Sequence, residues 1–183
     1  MARTASFRVY WFKRVSTLLN IRIPPGFDRH NPSHWLAFGL GSGFSPYAPG
    51  TMGSLLGVVL FAPLSLLPWL SYLAWLLFSV MLGIYVCEET SRDLGVHDHP
   101  GIVFDEFVGQ WLALLPLVLT GHHGLLPLVA GFILFRFFDI LKPWPIRWMD
   151  KHIGGGVGIM MDDVAAGLLA AAGVMLLLIR GYY

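Results

Sequence analysis

The sequence predicts an all-α fold: a polytopic membrane helical bundle of about five apolar helices, some short or re-entrant, with an N-terminal amphipathic arm. Three observations predict it. The 183 residues fit one domain, yet 56% are hydrophobic and only 13% charged, where a soluble globular domain carries about 25% charged residues. Mean hydropathy is +0.66. The charges are also bunched, because residues 53–86 and 164–179 contain no Asp, Glu, Lys or Arg. A soluble protein with buried apolar helices is the alternative, but runs of this length leave no polar face to show to water.

Residues 1–35 form the arm. Phe7, Tyr10, Trp11, Val15 and Leu18 recur at helical spacing with Arg8, Lys13 and Arg14 between them. That is the pattern of a basic helix lying on an anionic lipid surface; an irregular basic tail is the other reading. Arg22 follows too closely, and no small-residue cleavage site appears, for a signal peptide. Pro24, Pro25 and Gly26 end the arm. Residues 36–183 follow as one membrane-embedded domain. Pro63, Pro68 and Ser71 divide its first apolar run into spans at 52–67 and 70–87. A third segment covers 107–119 and ends at the turn Gly121-His122-His123-Gly124. A fourth covers 125–138 and a fifth 164–179. Several are short for a crossing of roughly 20 residues, which tilt, bilayer thinning or re-entry would accommodate.

Charge sets the orientation. Arg3, Arg8, Lys13, Arg14, Arg22 and Arg29 stand against Asp28 alone in the arm, so that end belongs in the cytoplasm. Counting spans from there returns 88–106 and 139–163 to the same side. The outward turns carry no Asp, Glu, Lys or Arg, so all eleven acidic residues fall on one face.

Three segments carry the chemistry at that face. The first, GLGSGFSPYAPGTMGS at 39–54, lacks the lysine of a P-loop. Thr51 or Ser54 is a candidate N-cap, and the amides from Gly50 to Ser54 at a helix start would favour a phosphate. Small residues for close packing are the competing reading. The second segment contains IVFDEFVGQW at 102–111, and the third runs from Arg136 to Asp163. Asp105 and Glu106 would begin the third span, and Asp162 and Asp163 the fifth. The helix dipole favours acids there. It does not explain Asp139, which falls near a helix C-terminus. Carboxylates at one depth repel unless a cation joins them, and Mg²⁺ or Ca²⁺ suits such oxygen ligands. Arg136, Asp139 and Lys142 recur every three residues along one helix side. Either the cations pair with Asp139, or Asp139 serves a metal and the cations a phosphate. Trp144 and Trp148 fit an interfacial aromatic belt, and Gly154, Gly155, Gly156 and Gly158 permit close backbone approach.

Other chemistries find less. His97 and His99 flank Asp98, and His122–His123 lie on the opposite side, without a zinc-ligand pattern; most of these histidines are expected in solvent. The lone Cys87 excludes an internal disulfide. No G-x-S-x-G elbow or D-x-D-x-T signature supplies a nucleophile, so metal-activated water is the simpler proposal. A carboxylate-lined transporter and a non-catalytic membrane scaffold stay open as alternatives. No nucleic-acid partner is expected, and oligomeric state is left open.

GLGSGFSPYAPGTMGS, IVFDEFVGQW and FRFFDILKPWPIRWMD…GGGVGIMMDDVAAG together resemble the phosphatidylglycerophosphatase A family, from about Gly39 to Gly167. The resemblance implies a multi-pass, inner-membrane, Mg²⁺-dependent lipid phosphatase. Its expected substrate is phosphatidylglycerophosphate, and its products phosphatidylglycerol and inorganic phosphate. The diacylglycerol tails would stay among the membrane lipids. On that reading Asp105, Asp139, Asp162 and Asp163 are the expected Mg²⁺ ligands, and Glu106 a ligand or the base that positions water. Arg136 and Lys142 would neutralise phosphoryl charge. Gly50, Ser54 and the Thr51 hydroxyl would hold another phosphate oxygen. The signature of phosphotransferases acting on CDP-linked lipids is absent.

Overall fold

A computed structural model describes residues 23–96, 98–122 and 124–181. The expected amphipathic helix over residues 7–18 lies outside them, as do His97 and His123. The helices are α1 (Pro32–Ala37), α2 (Pro49–Leu64), α3 (Trp69–Leu94), α4 (Phe104–Ala113), α5 (Leu115–Thr120), α6 (Leu125–Leu141), α7 (Ile146–His152) and α8 (Gly155–Ile179). A 3₁₀ segment, Gly39–Phe44, joins α1 to α2. Among the described residues all regular structure is helical, as expected.

The break between the first two spans falls where Pro68 sets it, as the extended N-cap of α3. Pro63 instead occupies the last turn of α2. The third span is not one helix. Pro116 has no N–H to reach the Leu112 carbonyl, and the chain bends at Leu114 into α4 and α5. Gly121, at φ 68°, closes α5 in the left-handed conformation. The fifth segment also differs: α8 starts at Gly155, so Asp162 and Asp163 lie two turns inside it rather than at its start. Their position therefore does not come from the helix dipole, which fades beyond the first turn. Among the described helices, α3 and α8 are long and apolar enough to cross a membrane alone. The other expected spans are shorter.

α8 is the hub, packed against α3, α4, α6 and α7. Small residues let the backbones approach, as membrane helices require when lipid supplies no hydrophobic drive. Gly156 lies against the Ile84 carbonyl of α3, Gly83 against Met160, and Gly167 against Gly109 of α4. The outside is apolar too. α3 buries Tyr72, Leu76 and Val86 while exposing Leu70, Leu77, Phe78 and Met81. A helix apolar on both faces suits a lipid surround. Two buried aromatic tips pair with backbone: Tyr72 donates to the Trp111 carbonyl at 2.7 Å, and Trp111 Nε1 to the Gly57 carbonyl at 2.9 Å.

The segment before α2 is tied to the end of α3. The Asp28 N–H donates to His34 Nδ1 at 2.8 Å, so Nε2 carries the proton donated to Asp93 at 3.1 Å. Asn31 bonds Glu89 at 3.0 Å. These anchors hold the glycine-rich segment over α4, where the Val103 N–H donates to the Ala37 carbonyl at 2.8 Å.

Candidate active site

Three helices meet in a knot of charge. Arg136 of α6 bridges Glu106 of α4 in a close ion pair and Asp139 of its own helix at 2.8 Å. The Ser54 hydroxyl of α2 lies 2.7 Å from Glu106 Oε2 and 3.0 Å from the Gly50 carbonyl oxygen, with one proton for the two acceptors. Ser54 Oγ also accepts from Arg136 at 3.3 Å. Ser54 is thus no N-cap. Neither is Thr51, because α2 starts at Pro49 with the left-handed Ala48 before it and no side-chain cap. Gly50 sits so close that a Cβ there would strike the Glu106 carboxylate, with Arg136 beside it.

A second group forms where α6 turns into α7. Lys142 is not on the helix side shared by Arg136 and Asp139. It is the left-handed C-cap of α6, at φ 44°. From there its ammonium reaches Asp150 at 2.5 Å and Asp162 at 2.6 Å. Burial opposes its charge, but the hydrogen bonds to Asp150 and Asp162 outweigh this and hold the ammonium above the usual lysine range.

Asp105 and Asp163 lie between these groups. Asp163 is buried, and its Oδ2 has no hydrogen-bond partner among the described residues. It feels the charges of Glu106, Asp105, Asp139 and Asp162 together. Asp105 is half-buried and accepts from the Glu106 N–H at 3.0 Å. Neither has an ion pair among the described residues, while Arg136 and Lys142 answer the other acids. Two such carboxylates suit a hard divalent cation. Among the described residues no three His, Cys, Asp or Glu side chains stand together as a complete ligand set. The chemistry of the two carboxylates is of the kind Mg²⁺ takes, since that ion is commonly held by one or two carboxylates with phosphate and water completing the shell.

Beside Arg136 a hollow of about 520 Å³ opens between Thr51 and the outer face of α6, walled by Ile133, Phe137 and Ile140. Arg136, the partner of Glu106 and Asp139, thus also lines an apolar groove.

Residues 35–178 match the family described as Phosphatidylglycerophosphatase A. This chain belongs to the phosphatidylglycerophosphatase A family. It is 46% identical over 141 residues to Phosphatidylglycerophosphatase A of Escherichia coli (strain K12), covering 77% of this chain and 80% of that protein. It is 48% identical over 141 residues to the protein of the same name from Haemophilus influenzae, covering 76% and 85%. No solved structure matches the chain.

In this member of the phosphatidylglycerophosphatase A family, α2, α4, α6 and α8 bring Ser54, Glu106, Arg136, Asp139, Asp105 and Asp163 to one end of the bundle. Asp162 joins through Lys142. Thr51 faces the groove rather than the knot. Two residues escaped the reading of the sequence. Glu88 of α3 accepts the Gly156 N–H in the first turn of α8. Its only signal was its place as the first charge after the uncharged run. His34 is fully buried, and only its partners Asp28 and Asp93 make it structural. His99 is not simply solvated either: burial holds its imidazole below the usual range, and its Nδ1 accepts from the Gly101 N–H at 3.0 Å.

Proposed function

We propose that this protein hydrolyses phosphatidylglycerophosphate to phosphatidylglycerol and inorganic phosphate in phospholipid biosynthesis. The reaction takes place at the cytoplasmic face of the bacterial inner membrane and depends on Mg²⁺. The observation that carries the reading is the partition of the acids. Two cations each bridge two carboxylates, and Asp105 and Asp163 are left over beside them, in a chain of this family. The multi-pass topology rests on α3 and α8 together with the shorter apolar helices.

The terminal phosphomonoester enters at the start of α2. The Gly50 and Thr51 amides and the Arg136 guanidinium bind its oxygens, and Arg136 answers charge that grows as the phosphorus–oxygen bond breaks. Glu106, aligned by Ser54 and Arg136, accepts a proton from the attacking water. That water's oxygen bonds to phosphorus as the bond to the glycerol oxygen breaks, and the proton taken by Glu106 returns through solvent to the glycerol oxygen, which leaves as the alcohol. Lys142 holds Asp162 in place from the α7 side. Asp105 and Asp163 would hold Mg²⁺, and Asp139 and Asp162, paired with Arg136 and Lys142, would act on it through water. When bound, Mg²⁺ supplies charge neutralisation and a more acidic water.

The test is phosphate release from purified full-length protein in neutral detergent micelles, with phosphatidylglycerophosphate, phosphatidate and glycerol 3-phosphate as substrates. Release from phosphatidylglycerophosphate that EDTA abolishes and Mg²⁺ restores is expected. Release indifferent to EDTA would overturn the metal's role, and none from phosphatidylglycerophosphate would overturn the substrate.

A further inference from the structure

Arg147, on the exposed side of α7, is absorbed by nothing described so far. It has no salt bridge among the described residues, and its backbone N–H donates to the Pro143 carbonyl at 3.3 Å. α7 also carries Lys151, and the stretch from Leu141 to Trp148 presents exposed Trp144 and Trp148. Arg147 lines the same hollow as Arg136 and Thr51. The rest of that wall is aliphatic and aromatic, with Ile133, Phe137, Ile140 and Leu141 all exposed. The groove is therefore amphipathic: one arginine belongs to the reaction site, another makes no ion pair among the described residues, and the rest of the lining is mainly apolar.

Two arginines lining one apolar groove call for a ligand with two separated anionic groups and a hydrocarbon body. A phosphatidylglycerophosphate molecule has that form. Its terminal monoester phosphate and its internal diester phosphate are separated by a glycerol bridge, and acyl chains follow the second. We propose that Arg147 binds the internal phosphodiester while Arg136 binds the monoester, with the first acyl methylenes against Ile133, Phe137 and Ile140. Arg147 is then a specificity residue: it distinguishes a lipid with two phosphates from phosphatidate, which has one. The assignment rests on the proposed function for its choice of substrate. Arginine suits the task, since its planar fork binds a phosphate through paired charge-assisted hydrogen bonds.

The experiment has two arms in neutral detergent micelles, on wild type, R147Q, R147K and K151Q. Lys151 lines the neighbouring hollow with Arg147 but not the groove, so K151Q reports surface charge alone. The first arm compares kcat/KM for phosphatidylglycerophosphate with that for phosphatidate. R147Q lowers the ratio about tenfold, mainly through KM, and R147K recovers part of it. The second arm needs no turnover: phosphatidylglycerol, which keeps only the diester phosphate, is titrated against tryptophan fluorescence. R147Q weakens its binding about tenfold, and K151Q leaves it as in wild type. Unchanged phosphatidylglycerol binding in R147Q, or an equal loss in K151Q, overturns the assignment whether or not the protein hydrolyses the monoester. A wild type that binds phosphatidylglycerol through Arg147 but releases no phosphate would overturn the proposed function and leave this site standing.

Discussion

Gly109 of α4 and Gly167 of α8 meet backbone to backbone: a Cβ on Gly167 would lie 2.5 Å from the Gly109 carbonyl oxygen. The crossing is one turn from Asp105 on α4 and one turn from Asp163 on α8. Two helices that touch at glycine therefore bring two lone carboxylates near each other. Gly167→Ala pushes backbone against backbone and is expected to destabilise the protein by about 1–3 kcal/mol. It should also lower activity by separating the acids. Gly173→Ala is the comparison, since the nearest atom there is a terminal carbon of Leu134, a side chain that can turn away. Thermal unfolding in detergent, with phosphate release measured in parallel, checks both. Equal melting temperatures for the two variants would contradict the crossing.

Arg136 answers two acids at once. Arg136→Gln strands Glu106 and Asp139, and breaking a buried pair in this way costs about 3–5 kcal/mol. Arg136→Lys keeps the charge but loses the fork, so it should fold and still lose roughly a hundredfold in kcat. Steady-state kinetics on the folded lysine variant is the decisive measurement, and wild-type turnover would remove Arg136 from the chemistry.

Asp163→Asn and Asp105→Asn separate function from stability. Neither carboxylate has an ion pair to lose among the described residues, so both variants should melt at or above the wild-type temperature. Activity should fall by roughly a hundredfold or more, with a higher Mg²⁺ requirement in whatever remains. Full activity at the wild-type Mg²⁺ optimum would sink the ligand assignment.

Lys142→Met tests the α7 tether. The folded-state pKa of Lys142 is raised, so its stabilising contribution is complete below the ordinary lysine pKa and is lost only as pH rises through the folded value. The melting-temperature gap between wild type and Lys142→Met should thus stay constant from about pH 6 to about pH 9. A gap that closes within that window would mean that another group carries the tether.

Much of the architecture was legible in composition and punctuation. The uncharged runs located α3 and α8, Pro68 marked the turn between spans, and Glu106, Asp139 and Asp162 did gather with Arg136 and Lys142. What escaped depended on partners distant in the chain. Nothing local announced the bend at Leu114, because Pro116 follows an unbroken apolar run. The start of α8 was misplaced because Gly154, Gly155 and Gly156 are poor helix formers. Only packing against α3 and capping by Glu88 makes those glycines a helix start. Lys142 looked like the next step of a helical row, yet its left-handed backbone turns it toward Asp150 and Asp162. Thr51 and Ser54 looked like caps because their chemistry suits one, but Pro49 starts the helix earlier and leaves Ser54 to hold Glu106.

Glu88 has a wider consequence. By accepting the Gly156 N–H it bolts the start of α8 to α3, the other helix long enough to cross a membrane. The two long helices then ride as one rigid beam, and the acids of α8 keep a constant height relative to α3. A thicker or thinner bilayer tilts the whole beam rather than sliding one helix past the other. The protein thus carries its own depth gauge, because the height of Asp163 is referenced to α3 as well as to α8.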